Sequence, residues 1–300
     1  MSLVENALQK MHEQARARAA AAELQSHPAR PAEAAPPVRR QRVEPVPPGN
    51  AARMTRIDQS GLRAVGLMPP ERQERELAEQ FRQIKRPLIA TATRHSATHV
   101  PDGNLIMIAS AVPGEGKTFM SLNLAFSMAF EKDIRVLLVD ADVAKPHISR
   151  LLGLSAEPGL LGALRDPALD IESLILQTDV SGLSVLPAGE PSEHTTELLA
   201  SVRMREIARQ LGERDPQRIV LFDSPPLLLT SQSQALAQVL GQVLLVVRAG
   251  ETPQETVMEG VGRLGEGKRV SIVLNQSITS SRDGYQYYGQ APARGSAPSS

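Results

Sequence analysis

A chain of 300 residues with 41% hydrophobic content is long enough for one α/β domain of ~150–200 residues with flanking arms, or for two small domains. Its 33 basic side chains equal its 33 acidic ones, so the basic excess that non-specific nucleic-acid binding needs is missing and no nucleic-acid partner is expected. The lack of cysteine excludes disulfides, thiolate metal sites and a cysteine nucleophile.

Residues 3–25 read as a helix in which Val4, Leu8, Met11 and Ala15 make one weak apolar stripe, suited to a solvated helix or to a docking one. Glu5 and the missing apolar h-region argue against a secretory signal. The best apolar run, around Ala235–Val247, is short and broken by glutamines, so no spanning helix is expected. The expectation is a cytoplasmic chain that reaches a membrane only through a partner. Residues 26–50 hold seven prolines and bury too little apolar surface to offset ordering entropy, so they read as a disordered linker. Arg39, Arg40 and Arg42 within it suit solvent or an acidic surface.

A second helix is predicted over 69–90, opened by Pro69-Pro70 and ended near Pro87. Short aliphatic strands follow at 104–109, 134–139, 183–187, 219–222, 243–247 and 270–274, separated by helices at 117–131, 146–152, 195–212, 232–240 and 254–265. That alternation, with only eight aromatics, predicts an α/β fold with a mostly parallel sheet and helices on both faces, and the phosphate-loop motif at 111–118 makes it one of the P-loop NTPase kind. The expected division is 1–68 as N-terminal helix and linker, 69–100 as a helix and connector, 101–276 as the P-loop domain, and 277–300 as a mobile tail.

The strongest signal is Ala111-Val-Pro113-Gly114-Glu115-Gly116-Lys117-Thr118, followed by Phe119, placed between a strand and a helix. Gly114 and Gly116 allow backbone amides to turn toward phosphate oxygens. Lys117 is the point charge for β- and γ-phosphates, Thr118 a Mg²⁺ ligand, and the helix dipole adds attraction for anions. The first glycine of the usual pattern is alanine here. Strand 136–139 runs into Asp140-Ala141-Asp142, and strand 219–222 ends in Asp223. In a parallel sheet both ends lie on the carboxyl edge, so Asp140, Asp142, Asp223 and Thr118 are candidate ligands of a Mg²⁺–ATP site and, with Lys117, the candidate catalytic set. Asn275 suits an adenine contact or an ordinary turn.

With these motifs the sequence resembles the bacterial tyrosine kinases of capsule and exopolysaccharide biosynthesis, from about Glu79 onward. The segment PGEGKT resembles that family's Walker A motif, VLLVDADVAKP (136–146) its Walker A′ and IVLFDSPP (219–226) its Walker B. Glu79, Arg82 and Lys85 resemble the E-x2-R-x2-R segment through which members pack into rings, with lysine at the third basic position. That lysine and the DADVAKP wording are closest to the exosortase/PEP-CTERM-associated variant. Ala144 replaces a common arginine, and 230–233 lack an acidic residue often found there. The resemblance implies ATP and Mg²⁺ as cofactors, a homo-oligomeric ring, and a transmembrane polysaccharide co-polymerase (a Wzz-like chain-length determinant) as activating partner.

All three tyrosines, Tyr285, Tyr287 and Tyr288, fall within four residues near the end of the sequence. A Gly-flanked segment carrying every tyrosine reads as a phosphorylation substrate, or as a short sticky tail, and resembles the tyrosine cluster of these kinases. The alternatives are a partitioning-type regulatory ATPase, which carries a lysine five residues before the P-loop lysine where Val112 stands here, and a degenerate nucleotide-binding scaffold.

Overall fold

A computed structural model describes residues 54–277 apart from 94–95, 192–194 and 266. The expected helix over 3–25, the linker and Tyr285, Tyr287 and Tyr288 lie outside the described residues. The chain divides into two units, 1–47 and 48–300, and everything described belongs to the second.

Eight strands form one sheet: β1 (Met54–Thr55), β2 (Leu105–Ser110), β3 (Arg135–Asp140), β4 (Leu176–Thr178), β5 (Leu183–Leu186), β6 (Arg218–Asp223), β7 (Gln242–Arg248) and β8 (Arg269–Asn275). Their order is β1-β4-β5-β3-β6-β2-β7-β8, and every pair is parallel except β4 with β5. The helices are α1 (Gln59–Ala64), α2 (Glu74–Ala92), α3 (Lys117–Ala129), α4 (His147–Leu151), α5 (Gly159–Arg165), α6 (Thr195–Leu199), α7 (Val202–Glu213), α8 (Ser231–Val239) and α9 (Gln254–Gly262).

The central strands are buried on both faces, which is why β2 reads as an unbroken LIMIAS rather than an alternating pattern. The pleat nevertheless sorts its residues. Leu105, Met107 and Ala109 enter one core with α5, α7 and α8, whereas Ile106 and Ile108 enter the other with α2 and α3. Both faces are therefore covered, as the strand–helix alternation predicts.

Two expected boundaries are corrected. The helix expected to end near Pro87 continues to Ala92 with Pro87 inside it. An internal proline costs about 3 kcal/mol, but Phe81, Leu88 and Ala92 are buried against the sheet and offset that loss. Thr91 Oγ1 also donates to the Pro87 carbonyl at 2.8 Å. The single helix expected over 195–212 is two, because Ser201 takes up an extended conformation and its hydroxyl caps α7 by accepting from Met204 N at 3.2 Å. The strands β1 and β4 and helices α1 and α5 escape sequence reading, being two to seven residues long.

Candidate active site

The P-loop spans the gap between β2, an inner strand between β6 and β7, and α3. Gly114 and Gly116 sit at φ of 85° and 93°, in the left-handed region where a side chain is strained. At Gly116 a Cβ would also come within 2.1 Å of Asn275 Nδ2. That amide donates to the Glu115 carbonyl at 2.8 Å, so Asn275 ties the end of β8 to the phosphate loop through its side chain.

Glu115 has a role that its place in the motif conceals. Its side chain is turned away from the loop's open face and is 1% exposed. Oε2 accepts from Val112 N at 2.9 Å, while Oε1 accepts from Thr252 Oγ1 at 2.7 Å and Arg248 N at 3.3 Å. The carboxylate therefore braces the loop against the β7–α9 connection. Sequence offers no periodicity that marks this contact, which joins positions more than 130 residues apart.

The carboxylates meet where the sheet register brings them. β3 and β6 are neighbours with Asp140 opposite Asp223. Asp223 accepts from Thr118 Oγ1 at 3.0 Å and from Ser121 Oγ at 2.9 Å. Burial pushes its carboxyl up to about 6, with Lys117 and the two hydroxyls opposing and Asp142 adding. Asp140 Oδ2 accepts from both Ser149 N and Ser149 Oγ at 2.7 Å, while its Oδ1 is buried without a protein partner. Burial raises Asp140 to about 7, against the Ser149 hydrogen bonds and helped by Asp223 and Asp142. Asp142 is less enclosed; burial raises it too, opposed by the Lys145 backbone bond and by the charges of Lys117, Lys145 and His147. Burial lowers Lys117, and Asp223, Asp142 and Glu115 counter this. One cation and three carboxylates thus share a poorly solvated site, held in place by serine and threonine hydroxyls.

The P-loop borders a cavity of about 650 Å³ to which Pro113, Gly114, Gly116, Lys117, Thr118, Phe119 and Asp142 contribute. Leu67, His147, Arg150 and Leu229 also line it and were not legible as site residues. Leu67 arrives from the segment after α1, fastened by Asn123 Nδ2, which donates to the Leu67 carbonyl at 2.8 Å. Ala144 and Lys145 stand exposed at the same cavity.

The three residues expected at a ring interface, Glu79, Arg82 and Lys85, are not alike. Glu79 and Arg82 are exposed and paired with each other. Lys85 is 7% exposed; its Nζ donates to the Ser127 carbonyl at 2.6 Å and pairs with Glu131 at 2.8 Å. It fastens α2 to the end of α3, and near the start of α3 Phe81 packs on Phe119 with ring centroids 6.2 Å apart. Among the described residues no helix is long and apolar enough to cross a membrane.

The family model described as "AAA domain" matches residues 103–278. The chain is 32% identical over 192 residues to the tyrosine-protein kinase ptk of Acinetobacter johnsonii, covering 64% of this chain and 26% of that protein. It is 30% identical over 215 residues to the tyrosine-protein kinase YwqD of Bacillus subtilis, covering 71% of this chain and 86% of that one. Among solved structures, the VpsO kinase domain matches at TM-score 0.53 and 35% identity, over 66% of this chain and 98% of that domain. The kinase domain of Escherichia coli ETK matches at TM-score 0.56 and 27% identity, over 69% and 80%. The septum site-determining protein MinD of Pyrococcus horikoshii, at 24% identity and TM-score 0.50, shares the fold. The aligned region thus spans about a quarter of the ptk protein but most of YwqD. With its P-loop, its two strand-end aspartate motifs and these relatives, the chain belongs to the bacterial tyrosine-protein kinase family built on an AAA-type P-loop domain.

Proposed function

We propose that this chain is an ATP-dependent protein-tyrosine autokinase that controls exopolysaccharide or capsule biosynthesis or export. The observation that carries the reading is the placement of Asp142 beside Lys117 in a cavity with apolar walls, reached from the phosphate loop, in a chain whose relatives are tyrosine kinases. Such walls suit a phenol ring, and Asp142 is the carboxylate open to it.

The residues fit a nucleotide with Mg²⁺. Gly114 and Gly116 leave the loop's amides approachable, the buried Asp140 Oδ1 lacks a protein partner, and a hydroxyl and a carboxylate, Thr118 and Asp223, stand together. Among the described residues no three acidic or histidine side chains group closely enough to cage a metal; Mg²⁺ prefers one or two carboxylates with water and phosphate oxygens. Bound there, it would neutralise phosphate charge, with Thr118, Asp140, Asp142 and Asp223 as its direct or water-linked holders.

Lys117 and the loop amides hold the β- and γ-phosphates. The tyrosine oxygen forms its bond to the γ-phosphorus as the bond from that phosphorus to the bridging oxygen breaks, and ADP leaves with the electron pair. The phenolic proton, with a reference pKa of about 10, passes to Asp142, the carboxylate that lines the cavity and whose raised pKa makes it a better acceptor than an ordinary aspartate. Tyr285, Tyr287 and Tyr288 are the first acceptors, and the ten residues from Asn275 to Tyr285 reach at most ~33–36 Å, enough for a neighbouring subunit's site. Glu79 and Arg82 on the exposed face of α2 would contact that neighbour, while Lys85 fixes the helix that presents them. A transmembrane co-polymerase is the proposed activator and would hold the ring at the cytoplasmic face of the membrane. Kinship with exosortase/PEP-CTERM loci rests on Lys85 and the DADVAKP wording.

Incubation with ATP and Mg²⁺, with and without the candidate activator's cytoplasmic loop, followed by mass spectrometry, tests this. Phosphate should appear on the tail tyrosines and vanish in Lys117→Met. ATP hydrolysis with unmodified tyrosines under both conditions would overturn the kinase reading in favour of a regulatory ATPase.

A further inference from the structure

We propose that Lys145 and Arg150 form a subsite for a negative charge flanking the acceptor tyrosine, so that phosphate already placed on one tyrosine, or the carboxylate of Asp283, recruits the next. This inference rests on the kinase reading above. Both side chains are exposed at the mouth of the active-site cavity, and neither is ion-paired among the described residues. Cations that line a cavity without a close salt bridge are available to an anion that enters it, even though the charge of Lys145 is also felt by Asp142.

Their roots are fixed. Lys145 N donates to Asp142 Oδ1 at 3.2 Å, and Ser149, one residue before Arg150, is bound twice to Asp140. The subsite therefore moves with the carboxylates that do the chemistry. The same cavity has apolar walls in Leu67, Phe119 and Leu229, the last 61% exposed. Asn123 Nδ2 donates to both the Leu67 and the Phe119 carbonyls, at 2.8 and 2.7 Å, and so holds two of these walls together. Apolar walls with two cations outside any salt bridge at the rim match a phenol next to an anion.

The tail offers that pairing repeatedly. Asp283 precedes Tyr285 by two residues, and Tyr287 follows it by two. Side chains two apart on an extended segment lie roughly 7 Å from each other, within the span of a cavity of about 650 Å³. A phosphotyrosine adds a charge of about −1.5 to −2, where the Asp283 carboxylate supplies one. Either source presents an oxyanion that Arg150 can grip in two places and Lys145 as a point charge.

The test uses the full chain with Tyr285, Tyr287 and Tyr288 changed to Phe, MgATP, and peptides spanning residues 280–290 with Tyr285 as sole acceptor. One peptide keeps Asp283, a second carries Asp283→Asn, and a third carries Asp283→Asn with phosphotyrosine at 287. The anionic peptides should show KM about tenfold below the neutral one. Arg150→Gln and Lys145→Gln should bring that ratio toward one, Arg150→Lys should restore part of it, and the loss should fall on the peptide's KM rather than on that of ATP. Preference for only one anionic peptide supports the subsite and names its source. Equal KM for all three peptides overturns it, as does a variant that weakens ATP while the peptide ratio persists. No transfer to any peptide, together with an unphosphorylated wild-type tail, overturns the kinase reading and this inference together.

Discussion

Glu115→Gln changes one oxygen to an amide nitrogen at the brace beneath the phosphate loop. The native carboxylate receives three donors: Val112 N on Oε2, and Thr252 Oγ1 and Arg248 N on Oε1. Glutamine retains one acceptor, so its NH₂ must face at least one buried donor. A hydrogen bond to a charged group contributes ~1.5–3 kcal/mol, and an unsatisfied buried donor costs ~1–3 kcal/mol. About 3 kcal/mol of net destabilisation is therefore expected, since the loop relaxes enough to recover part of the loss. At about 2–4 °C per kcal/mol for a domain of ~150–250 residues, the melting temperature should fall by about 6–12 °C. Calorimetry of the nucleotide-free protein reads this directly. A parallel titration should show ATP affinity weakened about tenfold, since Val112 and the amides after it lose their anchor. A fall of less than about 2 °C with unchanged ATP affinity would show that the carboxylate does not hold the loop.

Three further outcomes follow from the same geometry. Because Asp140 and Asp223 titrate near 7 and 6 rather than at their ordinary value of 3.8, the folded protein holds more protons than the unfolded chain between about pH 4 and 7. Nucleotide-free stability should therefore fall as pH rises through that window, and MgATP binding near pH 6 should release protons, visible by calorimetry in buffers of different ionisation enthalpy; a release that persists undiminished in Asp140→Asn/Asp223→Asn would contradict the assignment. Lys85→Ala should lose about 2–3 kcal/mol in denaturant unfolding, because it leaves the Ser127 carbonyl and Glu131 without their partner. By contrast, Glu79→Ala with Arg82→Ala, both exposed, should leave the melting temperature within about 2 °C while reducing particle size in light scattering; equal behaviour of the two variants would argue against this division. Gly116→Ala should weaken nucleotide binding at least about tenfold, since φ of 93° strains any residue with a Cβ and the 2.1 Å approach would push the Asn275 amide off the Glu115 carbonyl; unchanged affinity would mean that the loop is not held in this conformation.

The class of fold and the members of the phosphate site are legible in the order of residues alone. Continuous aliphatic runs such as 105–109 can only be central strands when helices alternate with them, and glycines at 114 and 116 with Lys117 and Thr118 specify phosphate chemistry locally. Asp140 and Asp223 were legible for the same reason: each sits where its own strand ends. Which polar atoms meet depends on the packed fold. Glu115 reaches Thr252 and Arg248, Asn275 reaches the Glu115 carbonyl, Ser149 reaches Asp140, and Leu67 reaches the cavity from outside the segment that the AAA-domain family matches. It also turned Lys85 inward while Glu79 and Arg82 stayed exposed, and carried α2 through Pro87. Motif and periodicity report interactions within a turn or two of the chain, whereas burial, desolvation and the pKa shifts that follow depend on which distant segments the sheet order sets side by side.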